Sequence, residues 1–302
     1  MLPLEEYIRN PRILLSSLLQ RYCSWMPDKW FLQLFYYLNT GKYLNLRTPQ
    51  TFGEKIQWLK LYNRQPEYTM MVDKYAVKGY VAGIIGQDYI IPTLGVWERP
   101  EDIDFDSLPQ QFVLKVTHGG GSGGVIICVD KTQLDKKSVE EELKRALKGD
   151  IYKAYREWPY KNVKRRIIAE QYIGKQNEDL KDYKFFCFNG EPKFCQVISG
   201  RSDVMSIDFF DTEWNHQPFH EPKQFPFSKK EIDSPQSLSE MLRLSRLLSD
   251  GIPFIRVDFY EVNGHPFFGE LTFFPTSGIG GFIPERWDYI LGKFIILCES
   301  KS

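Results

Sequence analysis

Phe112-Val113-Leu114-Lys115-Val116 runs through Thr117 into His118-Gly119-Gly120-Gly121-Ser122-Gly123-Gly124, and a second apolar run, Val125-Ile126-Ile127-Cys128-Val129, follows. Two β-rich runs joined by glycines read as a hairpin. Its tip is mostly bare backbone, and successive N–H groups in such a turn form an anion-binding nest. Lys115 on the incoming strand adds a point charge suited to phosphate. Together they predict a flap over a nucleotide triphosphate, with Lys115, Gly120, Gly121, Ser122 and Gly123 against the phosphates. The same run serves as a plain tight hairpin too, because glycine reaches φ > 0 without steric cost. It is not a P-loop, since no Gly-Lys-Ser/Thr closes it, and a strand rather than a helix follows, which excludes the Rossmann fingerprint.

The other half of such a site lies near the C-terminus, in Arg256-Val257-Asp258-Phe259 and Gly269-Glu270-Leu271-Thr272. Residues two apart share one face of a strand, so Arg256 pairs with Asp258, and Glu270 with Thr272. Asn263-Gly264 is a hairpin turn that makes the two strands neighbours. The carboxylates then converge, and two carboxylates with phosphate oxygens form a typical Mg²⁺ site. Arg256 beside them suits a phosphate. A plain cross-strand Arg–Glu pair is the alternative. The flanking residues Phe254, Ile255, Val257, Phe259, Phe267 and Phe268 are apolar, and burying two carboxylates there without a cation is costly.

Between and before these stretches the chain mixes helices with antiparallel hairpins, so the fold class is α+β. Residues 1–66 read as a helical segment punctuated by Pro11, Pro27 and Pro49, with a capping box at Thr51 and Glu54. Residues 67–165 read as a small lobe carrying the flap, and 166–302 as a large lobe carrying the carboxylates. A helix is expected to carry Asp73, Lys74 and Lys78. Strands are expected at 166–173, 183–188, 193–199, 205–210, 254–260 and 266–273, with helices at 138–147 and 237–249. Asn189-Gly190 is a second hairpin turn.

Composition narrows the class. Of 302 residues, 39 are Lys or Arg and 39 are Asp or Glu, so no net positive charge argues for nucleic acid. Five cysteines without a C-x-x-C pair read as reduced, buried thiols of a cytoplasmic protein. No signal peptide is legible, and no apolar run reaches the ~20 residues needed to span a bilayer. The aromatic stretch Phe31 to Leu38, with Trp25 and Trp30, reads as a helix packed on the main body; peripheral contact with the inner face of the membrane is the other reading.

These parts, in this order, resemble the ATP-grasp superfamily over about Asp73 to Pro284. The resemblance implies two α+β lobes gripping ATP and Mg²⁺. It implies that Lys74, Lys115 and Gly120 to Gly123 hold phosphate. Glu170-Gln171-Tyr172-Ile173 would form the hinge strand, with Glu170 accepting from the adenine amino group and the Tyr172 backbone facing the ring. Asp182 and Lys184 match the Asp-x-basic element of the next strand. Asp258, Glu270 and Thr272 would ligate Mg²⁺, and Lys184 and Arg256 would offset charge on the transferred phosphoryl group. Two departures stand out: Thr272 replaces a common asparagine, and a helical segment replaces a Rossmann-like lobe. Thr51-Phe52-Gly53-Glu54-Lys55-Ile56-Gln57-Trp58, Asp73-Lys74-Tyr75, Phe268-Gly269-Glu270-Leu271-Thr272 and Trp287-Asp288 resemble the TupA-like branch, named for teichuronopeptide synthesis in bacterial cell envelopes.

That branch implies an ADP-forming carboxylate–amine (or carboxylate–thiol) ligase working through an acylphosphate. Its partners would be an amino acid donor and a uronic-acid-bearing polysaccharide or precursor. Two other functions stay open. Asp102-Ile103-Asp104 and Asp104-Phe105-Asp106 have the Asp-x-Asp spacing of a metal-bound sugar nucleotide in a glycosyltransferase, or simply form an acidic turn. Trp158, Tyr155, Tyr160 and the basic run Lys161 to Arg166 fit a noncatalytic module for an anionic glycan, or a solvated face.

Overall fold

A computed structural model describes residues 10–120, 123–174, 180–200, 205–221 and 226–297. Gly121, Ser122 and Cys298 lie outside the described residues. Two antiparallel sheets organise the chain. The flap hairpin forms as β2 (Phe112–Val116) and β3 (Val125–Cys128), in a four-stranded sheet with β1 (Thr93–Trp97) and β4 (Ile167–Gln171) in the order β1-β4-β2-β3. The larger sheet runs β7 (Ser206–Asp211), β6 (Glu191–Ser199), β5 (Asp182–Phe188), β8 (Phe254–Val262) and β9 (His265–Thr272).

Both Asn-Gly turns close two-residue hairpins. Asn189 and Gly190 have φ of 49° and 85°, and Asn263 and Gly264 have 54° and 74°. Positive φ at both central positions matches the right-handed twist of the strands they join. The β8–β9 hairpin thereby sets Asp258 opposite Glu270 and Arg256 opposite Thr272.

Helices are α1 (Pro11–Tyr22), α2 (Asp28–Thr40), α3 (Phe52–Tyr62), α4 (Tyr68–Val72), α5 (Ala76–Ile85), α6 (Lys136–Leu147), α7 (Ile151–Tyr155), α8 (Leu238–Ser249) and α9 (Arg286–Phe294). The capping box forms at α3: Thr51 Oγ1 accepts from Glu54 N at 3.2 Å, and the Glu54 carboxylate accepts from Thr51 N at 3.1 Å. Among the described residues no helix is long and apolar enough to cross a membrane.

Three expectations about organisation change. Ile167–Gln171 belongs to the small sheet, because β4 pairs with both β1 and β2, so the break between the lobes follows this strand rather than preceding it. Residues of α3, α4 and α5 pack into the core of the large sheet: Phe52, Ile56, Tyr68, Met71, Val77 and Val81 are buried with Phe186, Phe254 and Phe259. Helix α3 of the helical segment and α4 and α5 of the expected small lobe are therefore part of the large body, while α1 and α2 close a separate cluster around Leu19, Phe31 and Phe35. Asp73 and Lys74 precede α5 instead of lying within it, and the Asp73 carboxylate accepts from Tyr75 N and Ala76 N at the helix start. Local sequence pattern cannot report which sheet a helix will cover.

Candidate active site

The β5–β8–β9 register places Lys184, Asp258 and Glu270 side by side across three strands. Asp258 is 1% exposed. Its carboxylate accepts from Lys184 Nζ at 2.5 Å, and from Arg256 Nε and Nη2 at 2.7 and 2.8 Å. Arg256 Nη2 also reaches Glu270 at 3.3 Å and Thr272 Oγ1 at 3.1 Å. Lys184 pairs with Asp182 at 2.8 Å. Lys74 Nζ closes the row from outside the sheet, 2.5 Å from Glu270. Three cations thus face three carboxylates.

Glu270 stands at the open end, its side chain 31% exposed against 2% for Asp258. The two titrate in opposite directions. Burial raises the Asp258 carboxyl against the pull of Arg256 and Lys184. Burial also opposes ionisation of Glu270, but Lys74, Lys184 and Arg256 overcome it and hold that carboxyl well below the usual range. Glu221, which sequence reasoning missed, faces Arg256 and Lys184, and burial pushes its carboxyl up.

The small sheet carries a second ionic cluster. Val113 lies opposite Glu170 across β2 and β4, and Lys115, two residues on, reaches diagonally to the Glu170 carboxylate at 2.5 Å. Lys78 approaches the same carboxylate at 2.5 Å and donates to the Ile91 carbonyl at 2.6 Å. These two lysines outweigh burial and hold the Glu170 carboxyl low. Glu170, expected to accept from adenine, serves in this structure as the counter-ion of two lysines, as a carboxylate with only 5% exposure must be paired. Gln171 ends β4, its N–H donating to the Pro92 carbonyl at 3.0 Å, and Tyr172 and Ile173 follow the strand, half-buried.

One short segment joins the clusters. Lys74 binds Glu270 of the large sheet, Lys78 binds Glu170 of the small sheet, and Lys74 N donates to the Thr117 carbonyl beside the flap at 3.0 Å. Asp73 pairs with Arg166 at 2.6 Å. Lys78 was legible only as a helix residue, since nothing local ties it to a carboxylate 92 residues away, at Glu170. At the flap itself, Gly120 and Gly123 are exposed, while Gly124 has φ +76° and a Cβ there would meet Ala146 Cβ at 2.7 Å.

A further buried group lies just past β9. Lys60 Nζ donates to the Ser277 carbonyl at 2.9 Å, to Ser277 Oγ at 2.7 Å and to the Tyr155 carbonyl at 3.1 Å. Burial lowers Lys60 to about 8 and raises its neighbour Glu157 to about 6. Thr276 and Ser277 have φ of 46° and 55°, the left-handed region that side chains rarely adopt. The signal was invisible in sequence, because the lysine and the loop it holds are 217 residues apart.

Two carboxylates buried together demand a cation, and in this structure Lys74, Lys184 and Arg256 supply neutralising charge. Among the described residues no group of three or more His, Cys, Asp and Glu side chains is placed to hold a metal. The donor set of Asp258, Glu270 and Thr272 still fits Mg²⁺, which takes one or two carboxylates and completes its shell with phosphates and water.

The rival motifs are spent locally. Asp102 pairs with Arg99, Asp104 accepts from Asp106 N and Ser107 N in a turn, and Asp106 pairs with Lys136. Trp158 and Tyr160 pack against the main core, and Lys164, Arg165 and Arg166 pair with Glu98, Asp150 and Asp73.

The family model for TupA-like ATPgrasp matches residues 54–296. The chain belongs to the TupA-like ATP-grasp family. Among curated proteins no sequence match is found. This TupA-like chain is similar to the D-alanine–D-alanine ligase from Bacillus anthracis solved with ATP, at 16% identity and TM-score 0.41, covering 75% of this chain and 63% of that one. The L-amino acid ligase from Bacillus licheniformis gives 15% identity and TM-score 0.40 over 76% of this chain and 50% of that one. The RimK domain ATP-grasp protein from Sphaerobacter thermophilus gives 14% and 0.41 over 78% and 70%. The chain thus spans less than two thirds of the first two.

Proposed function

We propose that the chain is an ATP-dependent carboxylate–amine ligase, with the nucleotide phosphates held between Lys115 and the flap on one side and the Lys184–Asp258–Glu270 row on the other. The observation that carries this reading is the single segment 74–78, whose two lysines serve both carboxylate clusters. A triphosphate entering there would compete with the carboxylates for Lys74, Lys115, Lys184 and Arg256. Asp258, Glu270 and Thr272 would then be free to hold Mg²⁺, which supplies charge neutralisation on the phosphate oxygens.

In the reaction, a substrate carboxylate oxygen attacks the γ-phosphorus and the bond to ADP breaks. The acylphosphate carbonyl is then attacked by an amine, which loses a proton as phosphate departs. The protein's part is positioning and electrostatics, with no covalent residue. The acceptor is proposed to be a uronic-acid-bearing envelope polysaccharide or its precursor and the donor an amino acid, on family analogy. Four free cysteines, Cys23, Cys128, Cys187 and Cys195, suit a reducing cytoplasm that supplies ATP.

Product analysis tests the chemistry. With ATP, Mg²⁺ and both co-substrates, ADP and phosphate should form together, and omission of either co-substrate should suppress them. AMP and pyrophosphate would replace the acylphosphate route with adenylation.

A further inference from the structure

Helix α1 is turned the wrong way round for a helix at the surface of a soluble body. Its polar Ser16 is buried, with Leu19, against α2, and Ser16 Oγ accepts from Asn39 Nδ2 at 2.9 Å. Its apolar stripe faces outward instead: Leu14, Leu15, Leu18 and Tyr22 are 42, 52, 42 and 60% exposed. These positions follow the i, i+1, i+4, i+8 spacing of one helical face. Two exposed tryptophans follow, Trp25 in the connection to α2 at 76% and Trp30 in the first turn of α2 at 65%. The neighbouring face of α2 that the sequence reading considered is not available: Phe31, Leu32, Phe35 and Tyr36 are buried.

Charge selects the occupant. Between residues 10 and 43 the basic residues are Arg12, Arg21, Lys29 and Lys42, and the one acid is Asp28; Lys42 pairs with Glu285 at 2.6 Å, which leaves Arg12, Arg21 and Lys29. Asp28 is already committed, to Arg64 at 2.6 Å and to Arg156 at 3.3 Å. A second copy docking face to face would set Arg21 and Lys29, which flank the stripe, against their own counterparts, with Asp28 already paired. A leucine stripe flanked by tryptophans and arginines matches the boundary between anionic headgroups and acyl chains.

We infer that α1 and the bend after it form a docking surface for an anionic lipid bilayer, lying in the interface without crossing it. This rests on no part of the ligase reading. The test is sedimentation of the full chain with vesicles of phosphatidylglycerol and phosphatidylcholine, and with phosphatidylcholine alone. The chain should bind the anionic vesicles, less so at high salt. The pair Leu15→Asp/Leu18→Asp should weaken binding by about 100-fold, and Arg21→Ala/Lys29→Ala by about 30-fold. Both variants should keep the wild-type circular dichroism, since all four side chains are exposed. Wild-type chain left in the supernatant with anionic vesicles would overturn the inference. So would a concentration-dependent dimer that the Leu15→Asp/Leu18→Asp pair converts to monomer.

Discussion

At the scale of single residues, the two carboxylates of the central row are not equivalent, although sequence treats them alike. Glu270→Gln removes the carboxylate that Lys74, Lys184 and Arg256 hold ionised, so turnover should fall by about 10²–10³-fold and urea unfolding at pH 7 should show a loss of stability. Asp258→Asn instead strips a buried partner from both Lys184 and Arg256. It should cost about 3–5 kcal/mol of stability along with turnover. Lys115→Ala should weaken ATP binding measured by calorimetry yet spare the fold, because Lys78 still neutralises Glu170. Asp288 gives a pH signature. Burial raises its carboxyl to about 6, above its ordinary value, despite the Gly53 N–H it accepts. Folding therefore favours the protonated form: this residue's contribution is complete below about pH 4 and is lost as pH rises through 6. Asp288→Asn should gain about 2–3 kcal/mol over wild type at pH 7 and little at pH 4, read by urea unfolding at both.

At the scale of elements, close backbone approach decides more than propensity. Gly292 of α9 meets the start of α3 so tightly that a Cβ would lie 2.2 Å from the Gln50 carbonyl and 2.8 Å from Phe52 N. Gly292→Ala should destabilise by more than about 2 kcal/mol. Gly83 of α5 has open space where its Cβ would stand, and Gly83→Ala should stabilise by about 0.5–1 kcal/mol. Thermal melting of the two variants should move in opposite directions. The elements themselves were largely legible: both Asn-Gly hairpins, the capping box at Thr51 and the flap strands follow from turn chemistry and alternation that act within a few residues. The pairing of Asp258 with Glu270 was legible for the same reason, since one two-residue turn sets it.

At the scale of the whole molecule, sequence was blind to what spans the sheets. Lys184 meets Asp258 through β5–β8 pairing, 74 residues apart, and Lys74 meets Glu270 across 196. No local period encodes such contacts, so the counter-ions of both carboxylate clusters had to be read from the fold. For the same reason α3 to α5 were assigned outside the large body whose core they fill. If both clusters grip one nucleotide, a crystal structure of the chain with Mg²⁺ and a nonhydrolysable ATP analogue should show phosphates between Lys115 and Glu270, Mg²⁺ on Asp258 and Glu270, and adenine beside residues 171–173; a nucleotide bound away from either sheet would refute the shared grip.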